Sequence, residues 1–445
     1  MTGGTLPGCG FLEVVEMKHL RVLKTVERTG VKAWLVGDSA RMIEMGIDPK
    51  VMTLAVDARD LSSLSDRLDS ATVDAKGTFP VLRGTVLGAP FRAYSLQGDT
   101  IADDLARRDL SIEAIALRSD GGVVDPFGGR RDIRNRVIRL TGDDVDLIDR
   151  DPLRIVRILR FAAELGMDVF WRTDMDVRDF LRGHSDRMNA IPAERWGREI
   201  IKGMKERPWR FIRLCDHYNL LPFFLKDLED LKSVPDGRGR TLFSHVMATL
   251  SVIERRLPTH KIMQDEAFIL AGLFSRIGTR SLDAGDEGER RKNEALTSSF
   301  LSQWNIPAET IRAAQAIIDG YRRFYEPRTE EDLCRSVLEH GADAMAAGLD
   351  FAGCIARAEG LPHLETLSDN RWRLAQVLRR FKSVALQTGG ASRFLGGDEV
   401  MSLLRLAPGR IIGALLDGLD VAVGTGRVTN RAQAEEWVVS HARSV

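Results

Sequence analysis

Apolar residues along this chain change period once, and that change divides it. AWLV (Ala33 to Val36) and VMTLAV (Val51 to Val56) are short unbroken apolar runs, as expected of strands buried within a sheet. Between them, Ser39 to Met45 fits a helix, entered by a turn at Gly37 and left at Gly46 and Pro49. Met17 to Arg28 carries apolar residues at helical spacing and leads into the first strand. Further on, Leu61 to Leu68 predicts a helix, and Phe79 to Val86 with Phe91 to Leu96 a pair of strands. The pattern then turns helical. RDPLRIVRILRFAAELGM (Arg150 to Met167) is amphipathic, and IPAERWGREIIKGM (Ile191 to Met204) reads as a second helix. From Trp209 onward the chain is helical, broken by polar loops at Lys232 to Arg240 and Asp283 to Asn293.

Composition narrows the possibilities. A length of 445 residues suggests about three domains, and 44% apolar residues suffice for packed cores. No apolar run approaches the eighteen or so residues of a membrane span, and the first twenty residues carry acids in place of a basic segment before a long apolar stretch. A cytoplasmic chain without a membrane segment is expected. Cys9, Cys215, Cys334 and Cys354 are scattered without metal spacing, which predicts thiols in a reducing compartment. Lysine plus arginine equals aspartate plus glutamate at 64 each, so any nucleic-acid contact must come from a local basic surface. Internal repeats and low-complexity tracts are absent.

Gly37, Arg41, Gly46, Pro49, Lys50, Leu54, Ala55, Asp57 and Ala58 follow the pattern of the class II tRNA nucleotidyltransferases and bacterial poly(A) polymerases, which this stretch resembles. In such a unit the first turn offers backbone N–H groups to a phosphate, and the second strand presents alternate side chains on one face. The resemblance implies two metal-binding aspartates on that strand; Val51 and Thr53 stand there instead. Asp38 takes the place of a second turn glycine, and Met42 that of an aspartate after Arg41.

The loss is chemical. Carboxylates at i and i+2 share a strand face about 7 Å apart and hold paired Mg²⁺ ions that activate an attacking 3′-hydroxyl and stabilise departing pyrophosphate. Valine has no ligand atom, and threonine only a neutral hydroxyl. Asp57 is four residues beyond Thr53, about 13 Å along the strand, too far to take over. Asp38 adds negative charge where a bare backbone should meet a triphosphate. Mapping AYSLQG onto the family's next motif puts Arg92 at a third acidic position and Gln97 at an arginine.

Other motifs extend the resemblance over nearly the whole chain. LARRDLSIEAIAL keeps Arg107, Arg108 and Asp109, with Glu113 in place of an asparagine; guanidiniums here would clamp phosphate or ribose oxygens, or form a solvated pair at a helix start. DPFGGRRDI (Asp125 to Ile133) matches the turn into the neck. Asp151, Arg154 and Arg157 match the segment that, in this family, reads the Watson–Crick edge of the incoming nucleotide; Arg150 replaces its glutamate. Spacings of three place Arg154, Arg157 and Arg160 on one broad helix face, suited to a basic wall for RNA or to ion pairs holding the neck together. Glu194 and Arg195 match a neck helix that orients the templating pair. TLFSHVMATL and ILAGLFSRIGT resemble a metal-dependent phosphohydrolase domain in which His245 survives while Ser275 and Arg276 occupy the His-Asp pair. His245 is accordingly expected to be structural. Leu395 to Asn430 resembles a tRNA-binding tail with a Pro408-Gly409 helix start, Gly413 and a turn at Gly426 to Asn430; it reads equally as a plain helix–loop–helix.

The resemblance implies an α+β chain: an N-terminal nucleotidyltransferase-type mixed sheet with helices over 1–140, then an all-helical neck (141–205), body (206–385) and tail (386–445). Its implied nucleotide-binding residues are Gly37, Arg41, Arg107, Arg108, Asp109, Asp151, Arg154 and Arg157, and its implied RNA contacts Arg160, Arg195, Pro408 and Gly409. With Val51, Thr53 and Arg92 at the acidic positions, the expected protein binds tRNA or another structured RNA, with ATP or CTP as possible ligands, and is catalytically inactive. No cofactor is expected, and Mg²⁺ only with residual activity. Two alternatives stay open: an active enzyme adding CCA, part of it or poly(A) to RNA 3′ ends, and a non-catalytic partner of a competent paralogous nucleotidyltransferase.

Overall fold

A computed structural model describes residues 9–442, except 59–60, 69–70, 76–79, 143–145, 238, 258–264, 280–286 and 390–392, with side chains from residue 18 onward. Two compact units divide between Gly203 and Met204.

The first unit opens with α1 (Cys9–Glu27), β1 (Ala33–Val36), α2 (Asp38–Glu44), β2 (Met52–Val56) and α3 (Leu61–Ser65). Strands β3 (Ala71–Asp74), β4 (Val81–Val86) and β5 (Ala89–Ser95) follow, then α4 (Ile101–Ala106), β6 (Ala116–Leu117), β7 (Val123–Val124) and α5 (Gly129–Asn135). It closes with β8 (Val137–Ile138), α6 (Asp146–Arg150), α7 (Leu153–Leu165), β9 (Asp168–Val169), α8 (Trp171–Gly183), α9 (Ser185–Asn189) and α10 (Ala193–Met204). Seven strands form one mixed sheet in the order β3-β4-β5-β2-β1-β6-β7, with β2 and β5 parallel and the other neighbours antiparallel. All five residues of the central β2 are buried, which is why its sequence is an unbroken apolar run. Its alternate residues serve opposite faces. Met52, Leu54 and Val56 pack with Val22, Leu23 and Val26 of α1, whereas Ala55 packs with Leu105, Ala114 and Ala116. Thr53, one pleat from Ala55, therefore faces the second side.

The second unit is helical: α11 (Pro208–His217), α12 (Leu221–Phe224), α13 (Lys226–Asp230), α14 (Leu242–Arg256), α15 (Glu266–Phe274), α16 (Glu287–Gln303), α17 (Ala308–Gly320), α18 (Glu330–His340), α19 (Ala342–Glu359), α20 (Leu364–Gln387), α21 (Gly397–Leu404), α22 (Arg410–Gly424) and α23 (Arg431–His441). Helix α15 is apolar all round and, after Glu266, wholly buried. At the far end, Ile412, Leu415, Leu419 and Val423 of α22 pack on Val400 of α21 and on Ala434 and Val438 of α23.

Several boundaries differ from the sequence reading; the first helix begins at Cys9, eight residues before the Met17 expected. The second strand starts at Met52 and leaves Val51 outside the sheet, 44% exposed. The helix expected to Leu68 ends at Ser65. The loop expected over Asp283 to Asn293 is helical from Glu287, with 283–286 outside the described residues, and Phe79 of the expected strand is likewise outside them.

Candidate functional site

The turn after β1 is built tightly. Gly37 has φ +60°, a conformation that calls for glycine, and the Arg108 guanidinium lies where a Cβ would point, its Nη1 2.8 Å away. Ser39, fully buried, donates from Oγ to the Val51 carbonyl at 3.2 Å and accepts from the Thr53 amide at 2.8 Å, tying the turn to β2. Parallel pairing sets Thr53 directly opposite Arg92 on β5. There Arg92 donates from Nε to Thr53 Oγ1 and from Nη2 to Asp38 Oδ2, both at 2.9 Å, and Thr53 donates to Asp38 Oδ1 at 2.7 Å. Arginine, threonine and aspartate thus close a three-membered ring of hydrogen bonds.

Those residues do not fit a divalent cation. The carboxylate of Asp38 already accepts from a guanidinium, which occupies the neighbourhood a cation would need and repels one. Among the described residues, no group of three or more His, Cys, Asp or Glu side chains converges as a metal site would require.

Beside the ring lies an arginine-rich wall. Arg41, almost fully buried, donates to Glu113 and lies over the ring of Phe161 at 5.0 Å, while Arg160 stacks on the same ring at 4.2 Å. Burial pushes the Glu113 carboxyl up, with the Arg41 guanidinium opposing the shift. Arg108 bonds the Tyr94 hydroxyl and, at 2.9 Å, Asp104 Oδ2; burial raises the Tyr94 phenol to about 12. Arg107 is exposed.

Helix α7 contributes the rest. Asp109 accepts from Arg154 Nε at 2.7 Å and from Arg157 Nη1 at 2.6 Å. Asp151 accepts from Arg157 Nη2 at 3.1 Å and from Arg195 of α10 at 3.0 Å. Glu199 of α10, buried, accepts from Arg160 Nε at 3.0 Å. Glu199 also lies 3.8 Å from Arg157 Nε, so one network joins Asp109, Asp151, Arg154, Arg157, Arg160, Arg195 and Glu199. Sequence reasoning missed Tyr94, Asp104, Phe161 and Glu199. Glu199 follows Arg195 by four residues on one helix face, a spacing that could have singled it out.

A family model for the Poly A polymerase head domain matches residues 25–139. A CCA-adding enzyme of Levilactobacillus brevis is 31% identical over 428 residues, covering 93% of this chain and 94% of that relative. The chain belongs to the class II tRNA nucleotidyltransferase family. An A-adding tRNA nucleotidyltransferase of Deinococcus radiodurans is 26% identical and covers 76% of this chain and 79% of its own length. The fold is also that of the Bacillus stearothermophilus CCA-adding enzyme, whose crystal structure is a complex with CTP: the TM-score is 0.62 over 97% of this chain and 98% of that one, at 20% identity.

In this tRNA nucleotidyltransferase relative, Pro408 and Gly409 are exposed and Gly409 is the N-cap of α22, with Arg405 and Arg410 exposed on either side. Gly426, at φ +78°, makes the turn before α23, and Asn430 caps that helix by accepting from the Gln433 amide at 3.0 Å. His245 of α14 is buried and bonds Asp236 Oδ2 through Nε2 at 2.8 Å, with Nδ1 3.5 Å from Glu359. Arg276, where the phosphohydrolase pattern has an acid, donates to that same Glu359. Ser275 bonds the Gly272 carbonyl at 3.1 Å. Here too a guanidinium is paired with a buried carboxylate. No helix among the described residues is long and apolar enough to cross a membrane.

Proposed function

We propose that this protein is a cytoplasmic, non-catalytic tRNA nucleotidyltransferase relative that binds tRNA or another structured RNA, with ATP or CTP as its nucleotide, and does not extend the RNA. The observation that carries this reading is Arg92, hydrogen-bonded to Thr53 and paired with Asp38 where a nucleotidyltransferase needs carboxylates around Mg²⁺. Metal activation of the hydroxyl and charge stabilisation of the leaving group supply much of the rate of such a reaction, so losing them costs several orders of magnitude. Recognition does not share this dependence. Asp109, Asp151, Arg154 and Arg157 are held together in one network and present guanidiniums suited to phosphate or to a base edge. The names of the relatives, CCA-adding and A-adding enzymes, support tRNA as the RNA.

That preserved set also favours one competing reading, an active enzyme adding CCA, part of it or poly(A). The deciding experiment measures labelled ATP and CTP incorporation into tRNA lacking its 3′ end, with Mg²⁺ or Mn²⁺, beside tRNA binding by the same preparation. Tight binding without incorporation is expected. Robust incorporation would overturn the inactive reading, and weak RNA affinity together with a stable protein complex would point instead to a partner of a competent paralogue.

A further inference from the structure

Apart from the nucleotide site, the first unit carries an aromatic surface ringed by arginines. Strand β8 pairs in parallel with β9, Val137 opposite Asp168 and Ile138 opposite Val169, and the Phe170 amide continues the ladder to the Ile138 carbonyl at 2.8 Å. This register brings Arg139 out beside Phe170, the guanidinium 5.9 Å from the ring centroid. Helix α8 starts at the next residue, so Trp171 emerges at its first turn, 5.6 Å from the Phe170 ring and tilted 49° to it. Trp171 is 59% exposed. The Arg172 guanidinium lies 5.4 Å from the indole centroid. A cavity of about 490 Å³ opens here, lined by Arg131, Asp132, Arg139, Phe170, Trp171 and Arg172 among others.

Charge selects the occupant. Three guanidiniums line the cavity against one carboxylate; Asp132 accepts from Ser111 at 2.6 Å and from Arg139 Nε at 2.8 Å, which engages Arg139 as well, while Arg131, 66% exposed, lies 3.9 Å from that carboxylate and the exposed Arg172 lies against Trp171. The exposed Arg134 adds to the basic stretch over 130–139, in which Arg130 is paired with Glu44 at 2.8 Å. An exposed indole among arginines offers a flat surface for a base and cations for its phosphates, the combination by which single strands are held without sequence reading. The volume suits one nucleotide.

We infer that this surface is a second RNA-binding site, at which an unpaired nucleotide stacks on Trp171 while Arg131 and Arg172 take its phosphates. The inference rests on RNA being the partner but needs neither the nucleotide pocket nor catalysis. A fluorescently labelled single-stranded adenosine oligonucleotide, about a dozen residues long to exceed the usual footprint, is titrated into the full chain, and tRNA is titrated in parallel. The proteins compared are the unmodified chain, Trp171→Ala, Trp171→Phe, and Arg131→Ala combined with Arg172→Ala. Trp171→Ala is expected to weaken oligonucleotide binding about tenfold or more while Trp171→Phe keeps most of it. The arginine pair should lower the slope of log affinity against log salt by about one to two. Equal oligonucleotide affinity in the unmodified and Trp171→Ala proteins overturns the inference whatever tRNA does. Oligonucleotide held through Trp171 with no tRNA binding supports it while removing tRNA as the partner. Trp171-dependent binding to anionic vesicles in place of RNA overturns it.

Discussion

Arg92 is where one side chain changes what a pocket attracts. A carboxylate at that position would have added to the pull on Mg²⁺; the guanidinium neutralises Asp38 and fixes the Thr53 hydroxyl. Restoring the two aspartates alone is therefore not expected to restore a metal site, because a new carboxylate at position 53 would pair with Arg92. Val51→Asp with Thr53→Asp should bind Mn²⁺ no better than the unmodified protein in an electron paramagnetic resonance titration. Adding Arg92→Glu and Asp38→Gly should produce binding, since the cation then meets carboxylates without a competing guanidinium. Strong Mn²⁺ binding by the double variant would contradict this account of Arg92. The motif pattern placed Arg92 at a third acidic position, but the hydrogen-bonded ring could not be read from sequence, because Asp38, Thr53 and Arg92 meet only through the parallel pairing of β2 with β5.

At the scale of elements, legibility followed the apolar signal. β1, β2 and α7 were evident because each buries a dense apolar face, Leu153, Ile155, Val156, Ile158 and Leu159 in the case of α7. Helix α16 was misread as loop over its first turns because the residues it buries are Asn293, Thr297 and Leu301, two of them polar. Asn293 donates to the carbonyls of Phe274 and Ile277 at 2.8 and 2.7 Å, so hydrogen bonds do there what apolar packing does elsewhere. Helix α18 starts with a capping box: Thr329 Oγ1 accepts from the Asp332 amide, and Asp332 accepts from the Thr329 amide. The Thr329 hydroxyl, donating to Asp332 Oδ2 at 2.7 Å, and then the Thr329 amide hold the Asp332 carboxyl below the usual carboxylate range. A depressed folded pKa stabilises the helix above the unfolded value, about 3.9, and that contribution is lost as pH falls through the folded value. Asp332→Asn should therefore reduce thermal stability at neutral pH and progressively less below about pH 4, and Thr329→Ala should cost about 1 kcal/mol in urea unfolding. A stability difference for Asp332→Asn that stayed constant down to pH 2 or so would exclude the linkage.

Over the whole molecule, equal numbers of acidic and basic residues leave no net field to draw RNA in. RNA affinity must then come from local arginine surfaces, such as Arg131 and Arg172 or the exposed Arg405 and Arg410 beside Gly409. For tRNA, Arg410→Ala should weaken binding at low salt and reduce the salt slope by about one phosphate contact, leaving discrimination among tRNAs unchanged. An unchanged slope would remove that arginine from the interface.

The sequence by itself determined the four longer apolar strands and the change to helix after them, the family pattern, and which chemical groups stand at the acidic positions, since these depend on local periodicity and residue identity. Only the tertiary structure decided how the charges are spent. It paired Arg92 with Asp38, joined Asp109 to Arg154 and Arg157, set Arg276 against Glu359, and brought Arg139 beside Phe170 next to Trp171. Each of these is a contact across tens of residues, fixed by strand pairing or helix packing, and an ionic contact has no periodicity by which a sequence could announce it.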